Sequence, residues 1–214
     1  MRERERWLAF WASSGARGDP EGEFSALDAR YSEPGRFYHT WEHVLNCLRE
    51  LEGARHICGD PLAVELALWY HDAVYDPRAA DNERRSAALA AAAARRMSLG
   101  ARLAAAVEAM ILWTAHSSVP TGGQGAEGGA LLVIDIDLAI LGRTRRAFAV
   151  YEKRIRREYS FVPEDLYRQG RSRVLRAFLD RPRIYRTELF QQRYETRARA
   201  NIREALAKLG GHSK

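Results

Sequence analysis

Residues Leu131 to Gly142 read LLVIDIDLAILG, and the fold class turns on whether they form a strand or a helix. As a strand the run would be a buried parallel one with acidic residues near its end, where α/β active sites usually lie. As a helix it sets Asp135 and Asp137 among apolar side chains. A parallel sheet needs several such strands, and no other run in the chain resembles a core strand. The segment therefore reads as helix, and the chain as all-α.

Upstream, ALWYHDAVYD (residues 67 to 76) places His71 and Asp72 side by side at the end of another apolar run. Asp60 followed by Pro61 is a strong helix start, because aspartate caps free N–H groups and proline fits the first turn. The spacing of Val64, Ala67, Leu68, His71 and Tyr75 predicts one apolar face continuing to Tyr75, with His71 pointing inward. Asp72 then lies about 100° further round, at the edge of that face, where lost hydration must be offset by a cation or by donors. An interior histidine bonded to a backbone carbonyl beside a solvated aspartate is the plainer alternative. Before this helix, Thr40 reads as the N-cap of a helix buried through Val44, Leu45, Leu48 and Leu51, with His43 in its first turn and His39 just outside. Short helices precede it around Trp7, Leu8, Phe10 and Trp11, and around Phe24, Leu27 and Tyr31.

Downstream of the doublet the chain re-enters helix near Asp81, and an alanine-rich stretch continues it. The next helix spans Arg102 to Thr114, with His116 following. The segment PTGGQGAEGGA (120 to 130) lacks the glycine spacing of a phosphate-cradling loop and reads as a flexible surface loop. Beyond Thr144, three further helices are marked by Phe148, Tyr151, Ile155 and Tyr159, by Leu166, Val174, Leu175 and Phe178, and by Leu189 to Leu209, with Pro182 breaking the chain between the last two.

A chain of 214 residues suits one domain, 1–214, with its core over about 31–142 and a helical C-terminal part over 143–214. The N-terminal MRERERWLAFW has no secretory pattern, and no run approaches the roughly 18 apolar residues of a membrane span. A cytoplasmic protein with no membrane partner is expected. Cys47 and Cys58 lack metal-motif spacing and are expected to be plain thiols. Residues 143–214 hold 20 Lys and Arg against 8 Asp and Glu, whereas residues 1–142 are net acidic. That basic third can serve phosphates of a nucleic acid or a small anionic substrate, or simply solvate helix faces.

His39, His43 and His116 thus stand at the ends of separate apolar helices, His71 lies inside another, and Asp72, Asp135 and Asp137 occupy comparable places. Imidazole and carboxylate suit a divalent ion, Mn, Fe, Co, Ni or Zn, with Mg possible where waters complete the sphere. In the motifs RFYHTWEHV, ALWYHDAVYD, DNERRSA, IDIDLAILG, YEKRIRREY and AFLDRPRIY, and in a helix ending TAH, the chain resembles the HD superfamily of metal-dependent phosphohydrolases, in particular a bacterial branch of predicted HD phosphohydrolases. The likeness runs over most of residues 31 to 200. It implies an HD-like helical bundle with a helical extension. It also implies hydrolysis of a phosphomonoester or phosphoanhydride of a nucleotide or small metabolite.

Carried over residue by residue, the resemblance gives the metal to His43, His71, Asp72 and Asp137, with Asp137 favoured over Asp135. Asp135 is then a capping or supporting carboxylate. His39 is placed for substrate or water and Glu83 for orienting water, unless Glu83 is merely a first-turn acid favoured by the helix dipole. His116 can serve a second metal, phosphate or a helix end. Some members carry a basic residue after the last aspartate, where this chain has Leu138. Phosphate charge would then fall to Arg143, Arg156 or Arg171, with Arg145 and Arg146 as further candidates. Two other functions stay open. One is a nucleic-acid-binding helical protein with a vestigial metal pocket, not favoured because no nucleic-acid module is recognisable. The other is an HD-type metal-dependent oxygenase.

Overall fold

A computed structural model describes residues 3–115 and 127–211, which contain helices and turns and no strand. The protein is all-α, and LLVIDIDLAILG is helical. No helix among the described residues is long and apolar enough to cross a membrane. His116 and residues 120–126 of the glycine-rich segment lie outside the described residues, while 127–130, read from sequence as loop, are helical. The chain divides into two compact units, Met1–Ile134 and Asp135–Lys214.

The first unit contains α1 (Glu3–Ser14), α2 (Pro20–Tyr31), α3 (Trp41–Ala54), α4 (Pro61–Tyr70), α5 (Asn82–Arg96) and α6 (Ala101–Leu112), and most of α7 (Glu127–Asp137). Helix α4 is its axis. Every residue from Ala63 to Tyr70 is buried, all of them apolar but Glu65, and α4 packs against α3, α5 and α6. Asp60 caps its start, accepting the Ala63 N–H at 3.0 Å. Trp7 and Phe10 of α1 pack on Trp69, with the Trp7 and Trp69 rings at 85° and 5.4 Å. Ala87, Ala90, Ala91 and Ala94 give α5 a small-residue face, and α6 is its principal neighbour.

In one respect α4 departs from the periodicity. The helix ends at Tyr70, five residues before Tyr75, so the doublet lies beyond its last turn. The cause is long-range. The Arg36 guanidinium donates to the carbonyls of His39 (3.2 Å), Asp72 (2.7 Å) and Ala73 (3.1 Å), drawing the last two out of helical register. Ser86 and Asn82, in the first turns of α5, anchor residues 74 to 76. Ser86 Oγ accepts the Val74 N–H at 2.9 Å, and Asn82 bonds both the N–H and the carbonyl of Asp76.

The second unit runs from the end of α7 through a 3-10 turn (Leu138–Gly142), α8 (Arg145–Glu158), α9 (Glu164–Leu179), α10 (Glu188–Phe190), a π turn (Gln191–Glu195) and α11 (Thr196–Gly210). The 3-10 turn packs on α8 and α11. Gly142 makes this possible, because a Cβ there would stand 2.8 Å from the Tyr194 carbonyl oxygen. Asn201 of α11 donates to the carbonyls of Leu141 (2.8 Å) and Arg143 (3.0 Å), closing the turn.

Candidate metal centre

Within the first unit, α3 and the segment after α4 bring three side chains to one buried point. His43 Nε2 lies 3.0 Å from His71 Nε2 and 3.3 Å from Asp72 Oδ2, and His71 Nε2 lies 3.1 Å from the same oxygen. Both imidazoles are buried, and the Asp72 side chain is one-fifth exposed.

The hydrogen bonding defines what these atoms offer. His71 Nδ1 stands 2.9 Å from the Leu68 carbonyl oxygen. A carbonyl only accepts, so Nδ1 carries the proton, and a neutral His71 presents the lone pair of Nε2 to Asp72 and His43. Three acceptors then converge, since Asp72 is an acceptor on both oxygens when ionised. A single proton on His43 serves one of these contacts well and leaves another as acceptor against acceptor. A cation satisfies all three, and a backbone carbonyl behind the distal ring nitrogen is the usual way a ligating histidine is oriented.

Cys47, one turn after His43 on α3, lies against the two imidazoles. Its Sγ lies 3.7 Å from His43 Nε2, and ligand atoms of His43, Cys47 and His71 all fall within 4.8 Å of one another. The plain-thiol expectation does not place it there. An i, i+4 pair on an inward helix face is the signal present in the sequence. Arg36, Asn82 and Ser86 are likewise not marked by the sequence, because their partners are backbone groups that spacing does not reveal.

Of the other candidates, His39 is half-buried and stacks on Tyr75 with ring centroids 4.0 Å apart. Glu83 is half-buried in the first turn of α5. In the second unit, Asp137 is the half-buried last residue of α7. Asp135 is 0% exposed and accepts three hydrogen bonds, each of 2.7 Å, from the Arg186 N–H, the Thr187 N–H and the Thr187 hydroxyl. Burial pushes its carboxyl up to about 6 against the pull of those donors.

The arginines expected to meet phosphate have partners inside the second unit. Arg171 is paired with Glu152 and donates to the Tyr151 hydroxyl at 2.9 Å. Arg156 donates to Glu164 (2.9 Å) and to the carbonyls of Tyr159 (2.7 Å) and Val162 (3.2 Å), and stands 4.6 Å from the Tyr167 ring centre. Arg143 stands 5.9 Å from the ring centre of Tyr194. Phosphate binding by Arg156 or Arg171 would require these contacts to be exchanged.

Comparison with protein-family models, with curated proteins and with solved structures found no match to this chain.

Proposed function

We propose that this chain is a metal-dependent phosphohydrolase acting on a small phosphorylated metabolite or nucleotide. In this reading His43, His71 and Asp72 are metal ligands in an HD-type helical core, and Asp137 is the further carboxylate that the IDIDL likeness assigns. The observation that carries the reading is the convergence of two imidazole nitrogens and a carboxylate oxygen within 3.0–3.3 Å, acceptor facing acceptor in a buried setting. The reaction class rests on the ordered motifs of the sequence.

A bound divalent ion supplies an acidified water and polarises a phosphoryl oxygen; zinc, for scale, lowers the pKa of water from ~15.7 to ~7. The rest falls to the chain. The Leu68 carbonyl keeps the His71 proton on Nδ1 and its lone pair inward. Arg36 holds the backbone of both His39 and Asp72, fixing the doublet against the segment that leads into α3. His39, half-buried and stacked on Tyr75, is the group assigned to pass a proton to solvent. Asp135 accepts three hydrogen bonds, and Asp137 is the acid of IDIDL that the resemblance assigns to the ion. Arg143 is the arginine assigned to substrate phosphate; Arg156 and Arg171 pair with Glu164 and Glu152.

Protein purified without chelator and analysed for metal, then assayed for phosphate release from a panel of phosphomonoesters and nucleotides, tests this. Near-stoichiometric divalent metal and turnover abolished by chelation are expected. Protein that neither retains nor takes up a divalent ion, or that binds one and releases phosphate from nothing in the panel, would overturn the reading.

A further inference from the structure

We infer that Cys47 is itself a metal ligand, and that its sulfur makes this a site for a thiophilic ion such as zinc, iron or cobalt rather than magnesium or manganese. The inference rests on the metal centre proposed above and narrows which ion it takes.

Geometry comes first. Nitrogen and sulfur bonded to one ion at about 2.1 and 2.3 Å, and subtending about 90–110°, stand about 3.1–3.6 Å apart. Two nitrogens under the same conditions stand about 3.0–3.4 Å apart. The observed separations are 3.7 Å for Cys47 Sγ to His43 Nε2 and 3.0 Å for His43 Nε2 to His71 Nε2. Sγ also stands 3.8 Å from His43 Nδ1, so it lies beside the ring, and a side-chain rotation of His43 or Cys47 brings sulfur and Nε2 onto one ion.

Burial comes second. Cys47 is 2% exposed and lies in the inward stripe of α3 with Val44, Leu48 and Leu51. An apolar residue would fill that space equally well. What sets this position apart is that it faces two imidazole nitrogens, one of which, on His71, is held lone pair inward by the Leu68 carbonyl.

The chemistry is set by the donor. On binding, the thiol proton leaves to solvent and the sulfur lone pair forms the bond to the ion. Thiolate is a soft ligand that favours zinc and iron, whereas magnesium and manganese prefer oxygen. A set of two imidazoles and one thiolate therefore selects against the hard ions that a phosphate site often uses.

Cobalt reads the two levels separately. Metal-free full-length protein is titrated anaerobically with Co²⁺, following the visible ligand-field bands, which report binding, and the near-ultraviolet sulfur-to-cobalt charge-transfer band, which reports thiolate. The chain has two cysteines, so Cys58→Ser leaves Cys47 as its sole thiol. Wild type and Cys58→Ser are expected to show both signals. Cys47→Ser, with Cys47→Ala as the second variant and helicity checked by circular dichroism, is expected to lose the charge-transfer band, keep the visible bands and bind about tenfold or more weakly. Visible bands without charge transfer in Cys58→Ser overturn the thiolate ligand and leave the histidine and aspartate centre standing. No cobalt signal of either kind overturns both.

Discussion

Each unit holds a cluster of buried polar groups, and the two clusters are built in opposite ways. In the second, each named group meets its complement: Asp135 takes three donors, Asn201 gives to two carbonyls, and Arg171 pairs with Glu152 and Tyr151. Such satisfied networks hold a fold together and leave little for a ligand to do. In the first, His43, His71 and Asp72 turn acceptors toward one another, an arrangement with no stabilising value until a positive charge enters. Burial of a polar group is thus not the mark of a site; the mark is a set of groups whose needs cannot be met among themselves.

The strongest test of this contrast removes one acceptor. His71→Ala and Asp72→Ala should each lose bound metal and metal-dependent turnover while staying helical, read by elemental analysis and circular dichroism. Full metal content in either variant would dissolve the distinction between the units.

Next come the two acids of IDIDL. Asp135→Ala strands three donors and should lower unfolding free energy by about 3 kcal/mol in a denaturant titration. Asp137→Asn should instead weaken metal binding with a smaller loss of stability. The reverse pattern would make Asp135 the ligand and Asp137 the structural residue.

Arg156→Lys is a milder probe. Lysine cannot reproduce a guanidinium shared between Glu164 and two carbonyls, so stability should fall by about 1 kcal/mol. Unchanged stability with a lowered kcat/KM toward phosphate esters would give Arg156 to the substrate.

The smallest effect concerns a buried acid of the first unit away from the metal point. Burial raises the Glu65 carboxyl above its ordinary 4.5, and its pair with Arg55 only partly offsets this. A raised folded-state pKa stabilises the protonated form, so that contribution is complete below about 4.5 and lost as pH rises through the folded value. Glu65→Gln should therefore gain in Tm relative to wild type as pH climbs from acid to neutral. A difference that shrinks over that range would mean that the Arg55 pair outweighs burial.

Much of the fold is legible because its signals are local. Asp60 with Pro61 marks the start of α4, and Thr144 marks that of α8, where its hydroxyl accepts the Ala147 N–H. The helical reading of residues 131–142 rests on the lack of partner strands. Thr40 stands at the N-cap of α3 as expected, yet its side chain caps no helical N–H; its hydroxyl turns to the Tyr38 carbonyl instead. Hidden from the sequence are features fixed by distant partners. The early end of α4 depends on Arg36, and the occupation of Asp135 depends on residues 51 and 52 positions later. Helical periodicity describes one element at a time and carries no information about which distant donor a carboxylate or carbonyl will find.

Arg36 joins carbonyls that lie up to 37 positions along the chain from it. Closing a loop of that length carries an entropic cost that grows as about (3/2)RT ln n, and the Arg36 hydrogen bonds offset part of it with protein groups alone. Small zinc modules bind metal and fold in one event, and unfold when the metal is withdrawn. An ion bound at the proposed centre would add to thermal stability by mass action, about RT ln(1 + [L]/Kd).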